Sequence, residues 1–187
     1  MDVDGDGRLD SVELQWVKFT DREVGRGMVR LTVHLASGKT VRTNLSVFGW
    51  TSRETERPVL PWFGATRLLR QRSQQLVLGY DDSPASAVGY QVIAFRQGGL
   101  VRIPALPGSS DPYEWFAHQS GVGENGFTCT DVGVDAISID PNGRKVTDAF
   151  RWRGTGWAGL AHHVAHVDVR AAGLVDWQHC PGLPETA

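Results

Sequence analysis

No stretch of this chain runs to the roughly 18 consecutive apolar residues that a membrane-crossing helix needs, which excludes a helical span. Nor is there a Gly-x-Ser-x-Gly elbow, a phosphate-cradling glycine loop, a dinucleotide fingerprint or a His-Glu-x-x-His helix, so the enzyme classes that announce themselves in sequence lack their marks. Lysine is scarce, and a formal net charge of -2 offers no basic surplus for nucleic acid or for an anionic membrane. Cysteine is scarcer still: Cys129 and Cys180 show no metal-ligand spacing and form either one disulfide or two buried thiols. No basic and apolar leader precedes the acidic run that starts at Asp2, as expected either of a mature fragment whose leader has been removed or of a cytosolic start.

What is present points to strands. With 187 residues, 41% of them hydrophobic, one domain spanning 1–187 is long enough to bury a core. The 22 glycines and nine prolines favour turns over long helices, so an all-β, compact antiparallel domain is expected, open and propeller-like or sandwich-like. Val12, Leu14 and Trp16 alternate with polar neighbours until Val17 and Phe19 break the register, as at a bulge. Met28 to Leu35 and Thr40 to Leu45 flank Ser37-Gly38-Lys39 and read as a hairpin; Gly89 to Ile103 reads as a second, turning at Gly98-Gly99. Further strands are expected at Gln75 to Tyr80, at Asp135 to Asp140 paired with Val146 to Trp152 across Pro141 to Arg144, and at His162 to Val169. Gly49 to Gly64 and Pro104 to Gly126 read as loops, and Thr66 to Gln75 carries a weak helical period.

The acidic opening carries the chemistry. Asp2-Val3-Asp4-Gly5-Asp6-Gly7-Arg8-Leu9-Asp10 sets carboxylates at loop positions one, three, five and nine and a glycine at six. Hard Ca²⁺ takes six to eight oxygens, and a loop wraps it only where alternate side chains turn inward and a small residue allows a sharp bend. Asp2, Asp4, Asp6, the main-chain carbonyl of Arg8 and Asp10 are the expected ligands. Glu13 stands where an EF-hand has its bidentate glutamate, but strand alternation puts it opposite Val12, Leu14 and Trp16, out in solvent.

This run, followed by a strand, resembles the calcium loops of FG-GAP and VCBS-like repeat proteins, which are secreted β-assemblies of bacteria. The resemblance covers about ten residues and implies a loop that ties one edge of a β-structure through the ion. Arg67 to Val77 has the same loop-then-strand layout and reads either as a plain amphipathic loop or helix or as a degenerate copy, in which Arg67, Gln71 and Gln74 replace acidic ligands and a guanidinium stands in for the cation. Two repeats, about 1–60 and 65–150, would then be followed by a C-terminal extension.

Other constellations are weaker. His162, His166 and Asp168 share one strand face and His163 the other, so a convergent zinc set is not favoured. Glu114, Glu124, Asp131, Asp135, Asp140 and Asp148 supply carboxylates without a spacing that selects a catalytic pair. Trp152 and Trp157, around Gly154-Thr155-Gly156, would head a sugar-stacking surface if the tryptophans were not core. The expectation is a secreted, calcium-stabilised, non-catalytic module that binds a protein or cell-surface glycan. The alternatives are a carbohydrate-binding domain and a subunit of a larger secreted hydrolase or toxin assembly.

Overall fold

The computed structural model describes residues 1–21, 26–48, 60–81, 87–109, 111–120, 123–168 and 177–184. Among them every regular element is a strand, and no helix is long and apolar enough to cross a membrane. Strands β1 (Ser11–Asp21), β2 (Arg26–His34) and β3 (Thr40–Phe48) form a three-stranded antiparallel meander. The ladder slips at Val17, between the pairs Trp16↔Val29 and Lys18↔Met28, where the sequence breaks its alternation.

The larger sheet is built from β4 (Trp62–Thr66), β5 (Gln75–Asp81), β6 (Ala87–Arg96), β7 (Gly99–Ile103), β8 (Trp115–Ser120), β9 (Gly123–Cys129), β10 (Val134–Ile139), β11 (Arg144–Trp152), β12 (Trp157–His166) and the short β13 (Trp177–Gln178). Its order is β12-β11-β10-β9-β8-β6-β5-β4, with β7 added to β6 and β13 to β9. Strand β6 changes partner along its length: Val92 to Arg96 pair with β7, and Ala87 to Tyr90 pair with β8.

Side-chain alternation makes β5 and β6 a middle layer. Leu76, Leu78 and Ile93 meet Val29, Leu31, Val33, Leu45 and Val47 of the three-stranded sheet, while Val77, Tyr90, Val92 and Ala94 face a second core. Burial on both faces is why Leu76-Val77-Leu78 reads as an unbroken apolar run while β1 alternates. The second core is aromatic. Trp177 lies 4.8 Å from Phe127, 5.6 Å from Trp115 and 5.6 Å edge-on from Tyr90.

The C-terminal segment clasps this core. Trp177 and Gln178 run parallel to β9, Cys180 is bonded to Cys129, and the Gly182 carbonyl accepts the Ala65 N–H of β4 at 3.3 Å. Of the two options the sequence left for the cysteines, the disulfide is the one formed. Gly182 has φ near 90° and its absent Cβ would meet the Ala65 carbonyl at 2.2 Å, so only glycine permits the approach.

Several expectations change. The β6–β7 turn is Gln97-Gly98 and not Gly98-Gly99: Arg96 pairs with Gly99, and the two central residues have φ of 50° and 80°, the positive pair of a tight hairpin turn. Residues 104–126 contain β8 and the start of β9 where a loop was expected, because prolines at 104, 107 and 112 masked a short strand whose Trp115 and Ala117 are buried. Residues 67–74 form turns and not a helix, with Arg70 at φ 55°. Of the expected connection at 49–64, residues 49–59 lie outside the described residues, and Trp62 to Thr66 is β4.

Candidate metal centre

Local backbone bonding shapes the N-terminal loop. Oδ1 and Oδ2 of Asp2 accept the N–H groups of Gly5 (2.7 Å) and Gly7 (3.1 Å), Asp4 Oδ1 accepts that of Asp6 (3.1 Å), and Asp6 Oδ1 accepts that of Arg8 (2.8 Å). Short acidic side chains bond readily to backbone two or more residues on, which is why an Asp-Gly run curls instead of extending. Gly5 and Gly7 sit at φ 84° and 87°, the left-handed region that glycine reaches without cost.

The loop is pinned on three sides. Val3 is fully buried in the core between the sheets. Asp10, buried at the base, accepts the Val3 N–H on Oδ2 (2.7 Å) and the Ala36 N–H of the β2–β3 turn on Oδ1 (2.8 Å). Asp2 is held twice by Gln74: its N–H donates to Gln74 Oε1 (2.9 Å), and its carbonyl accepts the Gln74 N–H (2.7 Å).

This framework brings Asp2, Asp4 and Asp10 together, each with a carboxylate oxygen within 4.8 Å of the others. Oxygens on opposite sides of one Ca²⁺ are separated by about 4.6–5.2 Å, so the three fit a shared ion of that size. Their oxygens already accept backbone N–H groups, but a carboxylate oxygen has a second lone pair and can do both. Asp6, another of the expected ligands, does not belong to the group, and Asp6 and Arg8 are both exposed. Glu13 also lies outside it, exposed on β1 with its carboxylate 4.0 Å from His34 Nε2.

The second loop does not hold a guanidinium where a cation would sit, because Arg67, Arg70 and Arg72 are exposed. The interior position is taken by the fully buried amide of Gln75, whose Oε1 accepts the Leu69 N–H at 3.0 Å and whose Nε2 donates to the Ser73 carbonyl at 2.9 Å. Gln75 thus acts at the foot of β5 as Asp10 acts at the foot of β1, but it brings its own donor. Gln74, expected as a replaced ligand of this second loop, holds the first loop instead. Sequence spacing located the acidic cluster but not these amides, since a glutamine beside a strand carries no signal of its own.

The remaining constellations fall into place around this one. His162 Nδ1 lies 2.6 Å from Asp148 Oδ1 across the β11–β12 ladder, an exposed pair. Among the described residues, Asp2, Asp4 and Asp10 are the one set of three potential side-chain ligands close enough to share an ion, and His162, His163, His166 and Asp168 are not brought together in such a set. Trp152 is buried, and half-buried Trp157 packs 5.3 Å from it while donating its indole N–H to the Pro104 carbonyl at 2.8 Å; both belong to the aromatic core. Burial raises the carboxyl pKa of Asp135 above its ordinary 3.8. No family model, curated protein or solved structure matches this chain.

Proposed function

We propose that this chain is a calcium-stabilised, non-catalytic interaction module of a secreted or extracytoplasmic protein, which binds a protein or cell-surface glycan partner and is a component of a larger assembly. The observation that carries the calcium reading is the convergence of Asp2, Asp4 and Asp10 in a loop anchored at Val3, Asp10 and Gln74. Three carboxylates so close repel one another unless a cation lies between them, so binding would order the loop and stabilise the fold. The likeness to FG-GAP and VCBS-like loops supports the same ion in the same structural role. The disulfide supports an oxidising compartment, since cytosolic thiols are kept reduced.

The test is a thermal melt with calcium and with excess EGTA, on the wild type and on Asp4→Ala. At a free calcium concentration about 100 times Kd, the linkage contributes about 2.7 kcal/mol. For a chain of 187 residues that raises the midpoint by about 7 °C. Asp4→Ala should lose the calcium response. A wild-type midpoint that ignores EGTA removes the metal from the reading.

A further inference from the structure

A groove of about 460 Å³ runs where β3 passes beside β7. Residues Thr43 to Ser46 of β3 form one wall, and Ile93, Leu100 and Arg102 line it from β6 and β7. Two ties hold the strands at this spacing: Lys39 Nζ donates to the Gly98 carbonyl at 2.9 Å, and Gln91 Nε2 donates to the Ser46 carbonyl at 2.9 Å. Among the described residues, β3 has β2 on one side and no strand on the other. An edge of this kind presents backbone N–H and C=O groups that a further strand would satisfy.

Among the described residues the one charged side chain that lines the groove is Arg102; Asp111, beside it, accepts the Tyr113 N–H on Oδ1 at 2.7 Å. The exposed Arg102 guanidinium stacks 4.4 Å from the centre of the Tyr113 ring, and Arg30 donates from Nε to Asn44 Oδ1 at 3.3 Å. Arg42 lies on the exposed face of β3. Among the described residues no carboxylate forms an ion pair with any of these three arginines; the ion pairs present are His34 with Glu13 and His162 with Asp148. Stacking on Tyr113 fixes the guanidinium plane, so a carboxylate meets a fork that is already oriented.

We propose that this groove binds an extended acidic peptide segment, which adds to β3 as a fourth strand and places a carboxylate on Arg102. Leu100 and Arg102 share the face that carries Ile93. They are two residues apart, about 7 Å, which is the repeat of side chains on one face of an added strand. The recognised pattern is therefore an apolar residue and an Asp or Glu two positions away, with backbone pairing supplying affinity and Arg102 supplying selectivity. This deepens the reading of the chain as an interaction module and rests on that reading, but it does not depend on calcium.

The test is selection from a phage-displayed library of linear random nonapeptides, on the full chain and on Arg102→Glu, in buffer containing calcium. Selected peptides are then synthesised and titrated into isotope-labelled protein. The wild type should enrich peptides with the acidic pattern, and these should shift the amide resonances of residues 43–46 and 100–102. Arg102→Glu should bind them at least about tenfold more weakly, as expected for a lost charge pair at an interface. Both proteins should melt at the same temperature, because Arg102 is exposed. The proposal is overturned if no peptide is enriched, if the enriched peptides lack the acidic residue, or if Arg102→Glu binds them equally well. It is also overturned if trigalacturonate moves the same amides while no peptide is selected, or if a dimer of the chain occludes them. A chain whose midpoint ignores calcium yet selects acidic peptides would refute the metal reading and leave this one standing.

Discussion

Reducing the Cys129–Cys180 bond should lower stability without undocking the C-terminal clasp. The bond closes a loop across a sequence separation of 51 residues, so in the chain-entropy treatment it contributes about 4 kcal/mol by restricting the unfolded chain. With an unfolding entropy of about 2.1 cal/mol/K per residue, 187 residues convert this to a midpoint drop of about 10 °C. The clasp should stay in place because fully buried Trp177 removes about 150–250 Å² from water, about 4–6 kcal/mol at the usual coefficient. The assay is a melt with and without a phosphine reductant, on the wild type and on the double variant Cys129→Ala with Cys180→Ala. The reductant should shift only the wild type, and tryptophan fluorescence at 25 °C should be the same before and after reduction. A drop of less than about 3 °C would refute the loop-entropy reasoning. A red-shifted tryptophan spectrum in the reduced, still-folded protein would refute the claim that packing alone retains the clasp.

Three further outcomes follow from particular atoms. Burial holds the Asp135 pKa above 3.8, so the folded state disfavours the ionised form, and stability falls as pH rises from the unfolded pKa through the folded one. Asp135→Asn should therefore melt higher near neutral pH, and the gap should close in acid, where Asp135 is protonated in both states; a gap independent of pH would show another cause. Gly133→Ala places a Cβ 1.9 Å from the Phe150 carbonyl oxygen and forces the start of β10 off β11, costing about 1–3 kcal/mol or more in urea denaturation. Gln75→Ala strips the buried Leu69 N–H and Ser73 carbonyl of their partner, which costs about 1–3 kcal/mol. Hydrogen exchange at the Leu69 amide should accelerate, and an unchanged rate would show that water replaces the amide.

The two tight hairpins and the β10–β11 pair were legible because a period of two on each side of a glycine turn is a local signal. The β1 bulge was legible for the same reason: Val17 breaks an alternation that its neighbours keep. Strand β8 was not, since what makes Trp115 and Ala117 a strand is the non-local pairing of β8 with β6 and β9. At the candidate site, the grouping of Asp2, Asp4 and Asp10 was legible from spacing, because a tight Asp-Gly loop turns alternate carboxylates to one side. The contributions of Gln74 and Gln75 were not. Each joins segments that meet only in the folded chain, and a neutral amide has no preferred neighbour in sequence. The groove beside β3 is likewise a product of how two sheets lie together, which no single strand records.

The chain order of the two cores has a consequence for biosynthesis. Every member of the core between the sheets, from Met1 to Leu100, has been delivered before β8 is made, so that half can form while the chain is still emerging. The aromatic core cannot: Trp115, Phe127 and Trp152 must wait for Trp177, Cys180 and Leu183. During that interval the protein carries a finished half and an open aromatic basin. Its most vulnerable state is thus the chain made past β12 but not yet as far as Trp177. Oxidation of Cys129 comes necessarily late, acting as a latch set after the basin has been filled.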